Sequence, residues 1–251
     1  MPTKNEKKNK ESVEIDWGIF ALVEFIVSCK DQIGTKYRNA LDIGSGAGRH
    51  TEILRMAGLD VIQLDKYSET AEIQADFMQY EFQEKFDIIF CSHVIEHQRN
   101  VGNFLDKIFD ILNDDGLLLL SAPKHHAETL IEGHINCFYT SYFVQQLVHA
   151  GFDLKEGKYL SCWNIENAAI VSKAKNFTLS ERLHDGYTWT KKHQNRSFLS
   201  LKNGAIKNGV FFHNCNVISG ADKKIHFSIP DSYDEIGIAV VGKRWGFKIK
   251  I

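Results

Sequence analysis

The sequence has no Cys-x-x-Cys pair. Its five cysteines, Cys29, Cys91, Cys137, Cys162 and Cys215, are odd in number and widely spaced. Neither a disulfide framework nor a zinc knuckle is expected, and a reducing, cytoplasmic setting is. Residues 1–12, MPTKNEKKNKES, lack the apolar centre of a secretory signal and read as a frayed tail. The longest apolar run near them, Trp17–Cys29, is broken by Glu24 and is too short to cross a bilayer, so no membrane contact is expected. Internal repeats and low-complexity linkers are missing as well. So is a strong excess of one charge. The 30 Lys and Arg nearly balance the 32 Asp and Glu, which argues against a nucleic-acid partner for the whole molecule.

What is present is enough for a core. The 251 residues are 43% hydrophobic, which suits one α/β domain with an appendage and excludes a disordered chain. Charge is uneven along the chain. From Lys173 onward there are 14 Lys and Arg against 6 Asp and Glu, beside an acidic body. A basic C-terminal third is either a solvated face or a surface for an anionic acceptor.

Hydrophobic spacing predicts a helix over Asp16–Lys30, then a strand over Ala40–Ile43 that runs into a glycine loop. Arg49–Ala57 follows as a helix stopped by Gly58. Val61–Leu64 is a strand ending at Asp65, and FDIIFC, Phe86–Cys91, is another. Val101, Phe104, Leu105, Ile108 and Leu112 mark a helix that closes at Asn113–Gly116. Leu117–Ala122 is a buried parallel-type strand, and Tyr142–Ala150 is a helix ended by Gly151. Alternating strands and helices predict a Rossmann-like, doubly wound, mostly parallel sheet of seven strands. The expected domains are 13–174 for this unit and 175–251 for a C-terminal extension containing strands. That extension is either a small substructure or an insertion before a last strand at Ile236–Val241, and Phe247–Ile251 also reads as a strand.

The loop LDIGSGAGRH, Leu41–His50, brings bare backbone to the carboxyl end of a strand. A dinucleotide fingerprint needs G-x-G-x-x-G, but its third position here is Arg49. A phosphate-binding P-loop needs Gly-Lys-Ser/Thr, which is absent. The actual spacing is G-x-G-x-G, with Asp42 just before it. This run resembles the first motif of class I S-adenosylmethionine (SAM) dependent methyltransferases, and the resemblance continues over residues 37–172. It implies a SAM site built from Asp42, Gly44, Ser45, Gly46, Gly48, Asp65, Lys66, Asp76, Phe77 and Ser92. Within that site Asp65 would take both ribose hydroxyls, and Asp76 the adenine amino group, with Phe77 beside the ring. FDIIFCSHVIEH matches the fourth strand and its loop, LLLLSAP the fifth strand. HINCFYTSYFVQQLVHAGFD resembles a later segment of the small-molecule branch.

Methyl transfer needs alignment and often a base. In HVIEH, a helical start would put His93, Glu96 and His97 on one face. One reading makes His97 the general base, with Glu96 orienting it. Another makes His93, Glu96 and His97 a metal set, with a fourth ligand from His134 or from His125 or His126. That spacing resembles the E-x-x-E-H motif of metal-dependent small-RNA and ubiquinone-pathway O-methyltransferases. His93 replaces the first Glu, which favours a transition metal over Mg²⁺. A third reading leaves these histidines as packing or capping groups. Cys91 reads as a core residue. Lys124, Asn136 and Tyr139 are candidates for the acceptor pocket, and Trp163, Trp189 and Trp245 for stacking.

The resemblance implies O-methylation of a small anionic or sugar acceptor, such as a sugar, nucleotide-linked or phosphoramidate-type intermediate of surface-polysaccharide pathways. The rivals are a metal-dependent RNA 2′-O-methyltransferase, a NAD-linked oxidoreductase and a non-catalytic SAM-binding subunit. The sequence leaves the assembly open, a homodimer included.

Overall fold

A computed structural model of the chain describes residues 17–124, 130–162, 166–175 and 177, together with the backbone of four short strands in the tail. The elements run α1 (Ile19–Cys29), β1 (Asn39–Ile43), α2 (Arg49–Met56), β2 (Asp60–Asp65), β3 (Ile73–Gln74) and β4 (Phe86–Ser92). A short 3₁₀ turn, Ile95–His97, precedes α3 (Val101–Ile111) and β5 (Leu112–Pro123). Then come α4 (Thr140–His149), β6 (Phe152–Cys162) and β7 (Glu166–Lys173). The tail contributes β8 (Ala205–Lys207), β9 (Val210–Phe212), β10 (Val217–Ser219) and β11 (Ile225–Phe227).

The main sheet has the order β3-β2-β1-β4-β5-β7-β6-β9-β8, with β1 to β5 parallel. β7 runs antiparallel between β5 and β6. The seven expected strands are therefore there, and β9 and β8 extend the β6 edge. β6 and β7, at Phe152–Cys162 and Glu166–Lys173, complete the central seven ahead of the tail. The strands expected at 236–241 and 247–251 lie outside the described residues, as does the tail 1–12.

Both faces of the sheet are covered, which explains why its central strands read as unbroken apolar runs. Leu118 and Leu120 of β5 face one core with Phe104, Leu105 and Ile108 of α3 and Phe143 and Leu147 of α4. Leu119 faces the other, with Ala21, Leu22 and Phe25 of α1 and Leu54 of α2. Ile89 and Cys91 of β4 alternate in the same way with Ile88 and Phe90. The effect is positional: the carboxyl ends of β1, β2, β4 and β5 are carried at one mouth, where ligands of such sheets bind. No helix among the described residues is long and apolar enough to cross a membrane.

Candidate active site

Three glycines shape the loop after β1. Gly44, Gly46 and Gly48 all have positive φ (72°, 53° and 77°), the region that costs an L side chain free energy. Packing adds to this at two of them. A Cβ on Gly44 would lie 2.3 Å from Cγ2 of Val94, and one on Gly48 2.3 Å from Nε2 of Gln63. At Gly46 a Cβ would meet nothing within 4 Å, so the space over that peptide is open. Gly44→Ala should cost about 2 kcal/mol of stability or more from strained backbone and overpacking, read by denaturant unfolding. An unchanged midpoint would show that the loop relaxes around the methyl.

Asp42 sits beneath the loop, 1% exposed, and accepts a hydrogen bond from Oγ1 of Thr51 at 2.5 Å. Burial pushes its carboxyl up to about 6, with a smaller upward push from Asp65 and an opposing one from the Thr51 hydrogen bond. The sign for stability follows. Below about pH 4 the group is protonated in both the folded and unfolded chain, and the contribution is full. It is lost as pH rises through 6, because the unfolded chain ionises more easily. Asp42→Asn should match the parent at pH 4 and be more stable by about 1–3 kcal/mol at pH 8. Equal melting temperatures at pH 8 would contradict this.

Asp65 ends β2 with both oxygens engaged. Its Oδ2 accepts the Gly46 N–H at 2.9 Å, and its Oδ1 accepts those of Tyr67 and Ser68 at 2.7 and 2.8 Å. The carboxylate therefore ties the glycine loop to the turn after β2. Asp76 pairs with Lys66 at 3.1 Å and accepts the Met78 N–H, and the Lys66 ammonium holds its carboxyl below the usual carboxylate range.

These groups line one cavity of about 530 Å³. Gly44, Asp65, Lys66, Asp76 and Phe77 form one part of its wall, and His93, Val94, His97, Gln98 and Gly133 another. The sequence reading missed Tyr67, Val94, Gln98 and Gly133, whose only signal was adjacency to the motif residues. Ser45, Gly46, Gly48 and Asp42 support the loop without lining the cavity. Ser92 is turned away: its hydroxyl donates to the Trp17 carbonyl and accepts from Ser121. Phe77 touches the cavity but is 5% exposed, packed on Phe82 and edge-on to Phe104.

The histidine cluster converges, though not on a helix face. His93 has a positive φ of 53°, residues 95–97 form one 3₁₀ turn, and α3 starts only at Val101. Glu96 is fully buried at the centre. Its Oε1 lies 3.5 Å from His93 Nδ1, 3.9 Å from His97 Nε2 and 4.0 Å from His134 Nε2. His97 and His134 meet edge-to-face at 4.8 Å. The Gly133 carbonyl lies 2.9 Å from His97 Nδ1, which puts a proton on Nδ1 and leaves Nε2 as the basic nitrogen of the neutral ring. Glu96, His97 and His134 each offer a ligand atom within 4.8 Å of the others. His93 stands apart from that set, because its Nε2 pairs instead with Glu166, 3.0 Å away on β7.

The other candidates serve the frame. Asn136 donates its side-chain amide to the carbonyls of Glu96 and Gln98, fastening the 3₁₀ turn to the segment before α4. Lys124 donates to Ser161 at 2.6 Å, and Tyr139 is exposed at the start of α4. Cys91 is fully buried, and burial pushes its thiol well above the ordinary range, which removes it as a nucleophile. His125, His126, Trp163, Trp189 and Trp245 lie outside the described residues.

The glycine loop, the two carboxylates past β2 and the shared cavity define a class of domain, and comparison with known proteins identifies it. Residues 19–156 match the family model described as a methyltransferase domain, which spans more than half of the chain. The chain belongs to that family, and this segment is a SAM-dependent methyltransferase domain. It is similar to ubiquinone biosynthesis O-methyltransferases, 28% identical over 97 residues to that of Azorhizobium caulinodans and 27% over 124 residues to that of Nitrobacter winogradskyi. The matched stretches cover 32% and 43% of this chain, and 38% and 48% of those relatives. The solved structure of the CurJ carbon methyltransferase shares the fold at a TM-score of 0.51 and 14% identity, covering 63% of this chain and 54% of that one.

Proposed function

We propose that the protein is an O-methyltransferase acting on a hydroxyl or phosphoryl-linked oxygen of a small acceptor, of the sugar, nucleotide-linked or phosphoramidate type. The observation that carries it is the single cavity joining Asp65 and Asp76 to His93 and His97. The residues present fit SAM. Asp65 would take the ribose hydroxyls, Asp76 and Lys66 would border the adenine, and Gly44 on the cavity wall would lie against the amino-acid end. When bound, SAM supplies an electrophilic methyl carbon. His97 Nε2 takes the acceptor's proton, held in the right tautomer by the Gly133 carbonyl. The O-methyltransferase names of the relatives and the basic residues after 173 support an oxygen acceptor carrying negative charge. The test is methyl transfer from labelled SAM to a panel of sugar phosphates, nucleotide sugars and catechols. Labelling of amines alone would defeat the oxygen assignment.

A second reading gives Glu96, His97 and His134 to a divalent metal, favoured by their mutual closeness and by the backbone carbonyl behind His97. Two imidazoles and a carboxylate suit Mn²⁺, Fe²⁺ or Zn²⁺ better than Mg²⁺. Elemental analysis of tag-free protein should then find about one metal per chain, lost in His134→Ala. A metal-free preparation of full activity would end this reading.

A further inference from the structure

β7 runs antiparallel to both β5 and β6, and this places its first residue at the mouth. Glu166 pairs in register with Pro123 at the end of β5 and Cys162 at the end of β6. Its side chain is fully buried. A carboxylate in that position needs partners. Oε2 accepts the Gly18 N–H at 2.7 Å and lies 3.0 Å from Nε2 of His93. Gly18 is the N-cap of α1, and Trp17 beside it stacks on the His93 ring at 5.9 Å and 26°. The Trp17 carbonyl is held in turn by Ser92, which Ser121 holds. The main chain of His93 is fixed too, by its N–H donated to the Ser121 carbonyl.

We propose that Glu166 is a positioning residue for methyl transfer, setting the Nε2–H tautomer and the plane of His93 at the cavity wall while anchoring Trp17 over the same ring. The inference rests on the reading of this cavity as the methyl-transfer site. Its chemistry is simple. A carboxylate only accepts, so the nitrogen facing it carries the proton. One buried oxygen thereby fixes a strained residue (φ 53°) that local backbone preference would not hold. Glu96 Oε1 faces the other ring nitrogen, Nδ1, from 3.5 Å, beyond ordinary hydrogen-bond length, so the shorter Glu166 contact sets the tautomer.

The experiment is ring ¹⁵N NMR of histidine-labelled, full-length protein, with calorimetric titration of S-adenosylhomocysteine (SAH) as the probe. In the parent protein His93 should carry its proton on Nε2, far downfield and slow to exchange with water. Glu166→Gln keeps the shape and exchanges a charged acceptor for a neutral one. It should move that proton upfield while SAH affinity stays at the parent value. A parent ring protonated on Nδ1 alone, or an Nε2 proton unmoved in the variant, overturns the positioning role. Failure of the parent to bind SAH would overturn the reading of the cavity, whatever the ring shows.

Discussion

Replacing Asp65 by Asn should weaken SAH binding by about 100-fold. The side chain ends β2 on the cavity wall, where the proposed reading has its carboxylate accept from the ribose hydroxyls beside the N–H groups it already holds. Each hydrogen bond to a charged acceptor contributes about 1.5–3 kcal/mol, so losing the charge removes about 3 kcal/mol, near a factor of 100 in affinity. Asn is the informative substitution. Asp65 also accepts the N–H groups of Gly46, Tyr67 and Ser68, so Ala would open the turn and the loop together. Asn keeps the volume and one oxygen for the Tyr67 and Ser68 N–H groups, and gives up only the Gly46 N–H contact, because its amide nitrogen donates. Calorimetry measures the affinity, and far-ultraviolet circular dichroism checks the fold. Parent-like affinity in a folded Asp65→Asn protein would remove Asp65 from the cofactor site.

His97→Ala should lower turnover by about 100- to 10,000-fold, the range for removal of a general base, while SAH affinity holds. The split follows from geometry. His97 lines the cavity, and its contacts run to Gly133 and His134 and to none of the glycine-loop residues, Asp65 or Asp76. Turnover is read with the acceptor that the labelling panel selects. Full turnover would pass the base to His93 or His134. A parallel loss of SAH affinity would mean that the ring shapes the cofactor end as well.

The fold was legible because its signals are local and repeated. Apolar runs at Leu41–Ile43, Phe86–Cys91 and Leu117–Ala122 alternate with helical spacing, and each strand is buried on both faces. The boundaries held to within one or two residues at most of the named helices, α1 excepted at its N-terminus. Three strands of the central sheet were not named in advance. β3 is two residues long, and β6 and β7 form a hairpin whose place in the sheet depends on pairing across β5, which no local pattern encodes.

The candidate site divides in the same way. The glycine loop, Asp65 and Asp76 stand at strand ends and could be read in order along the chain. The convergence of His93, Glu96, His97 and His134 was foreseen, but for the wrong geometric reason. The expected helix is a positive-φ residue followed by a 3₁₀ turn, and Asn136 holds that turn from 40 residues away. Glu166 and Trp17 were invisible. They reach His93 across separations of 73 and 76 residues, through strand pairing and the helix α1 cap, and neither lies in a recognisable motif. Ser92 sits in the matching segment, yet its hydroxyl is spent on fastening Trp17.

The most direct test of the central claim is calorimetric titration of the purified full-length protein with SAH, with NADH as the control ligand. The predicted result is one SAH bound per chain and no heat from NADH, since the loop has Arg49 where a dinucleotide fingerprint needs its third glycine. Binding of NADH without SAH would contradict the account and make residues 40–65 a dinucleotide site.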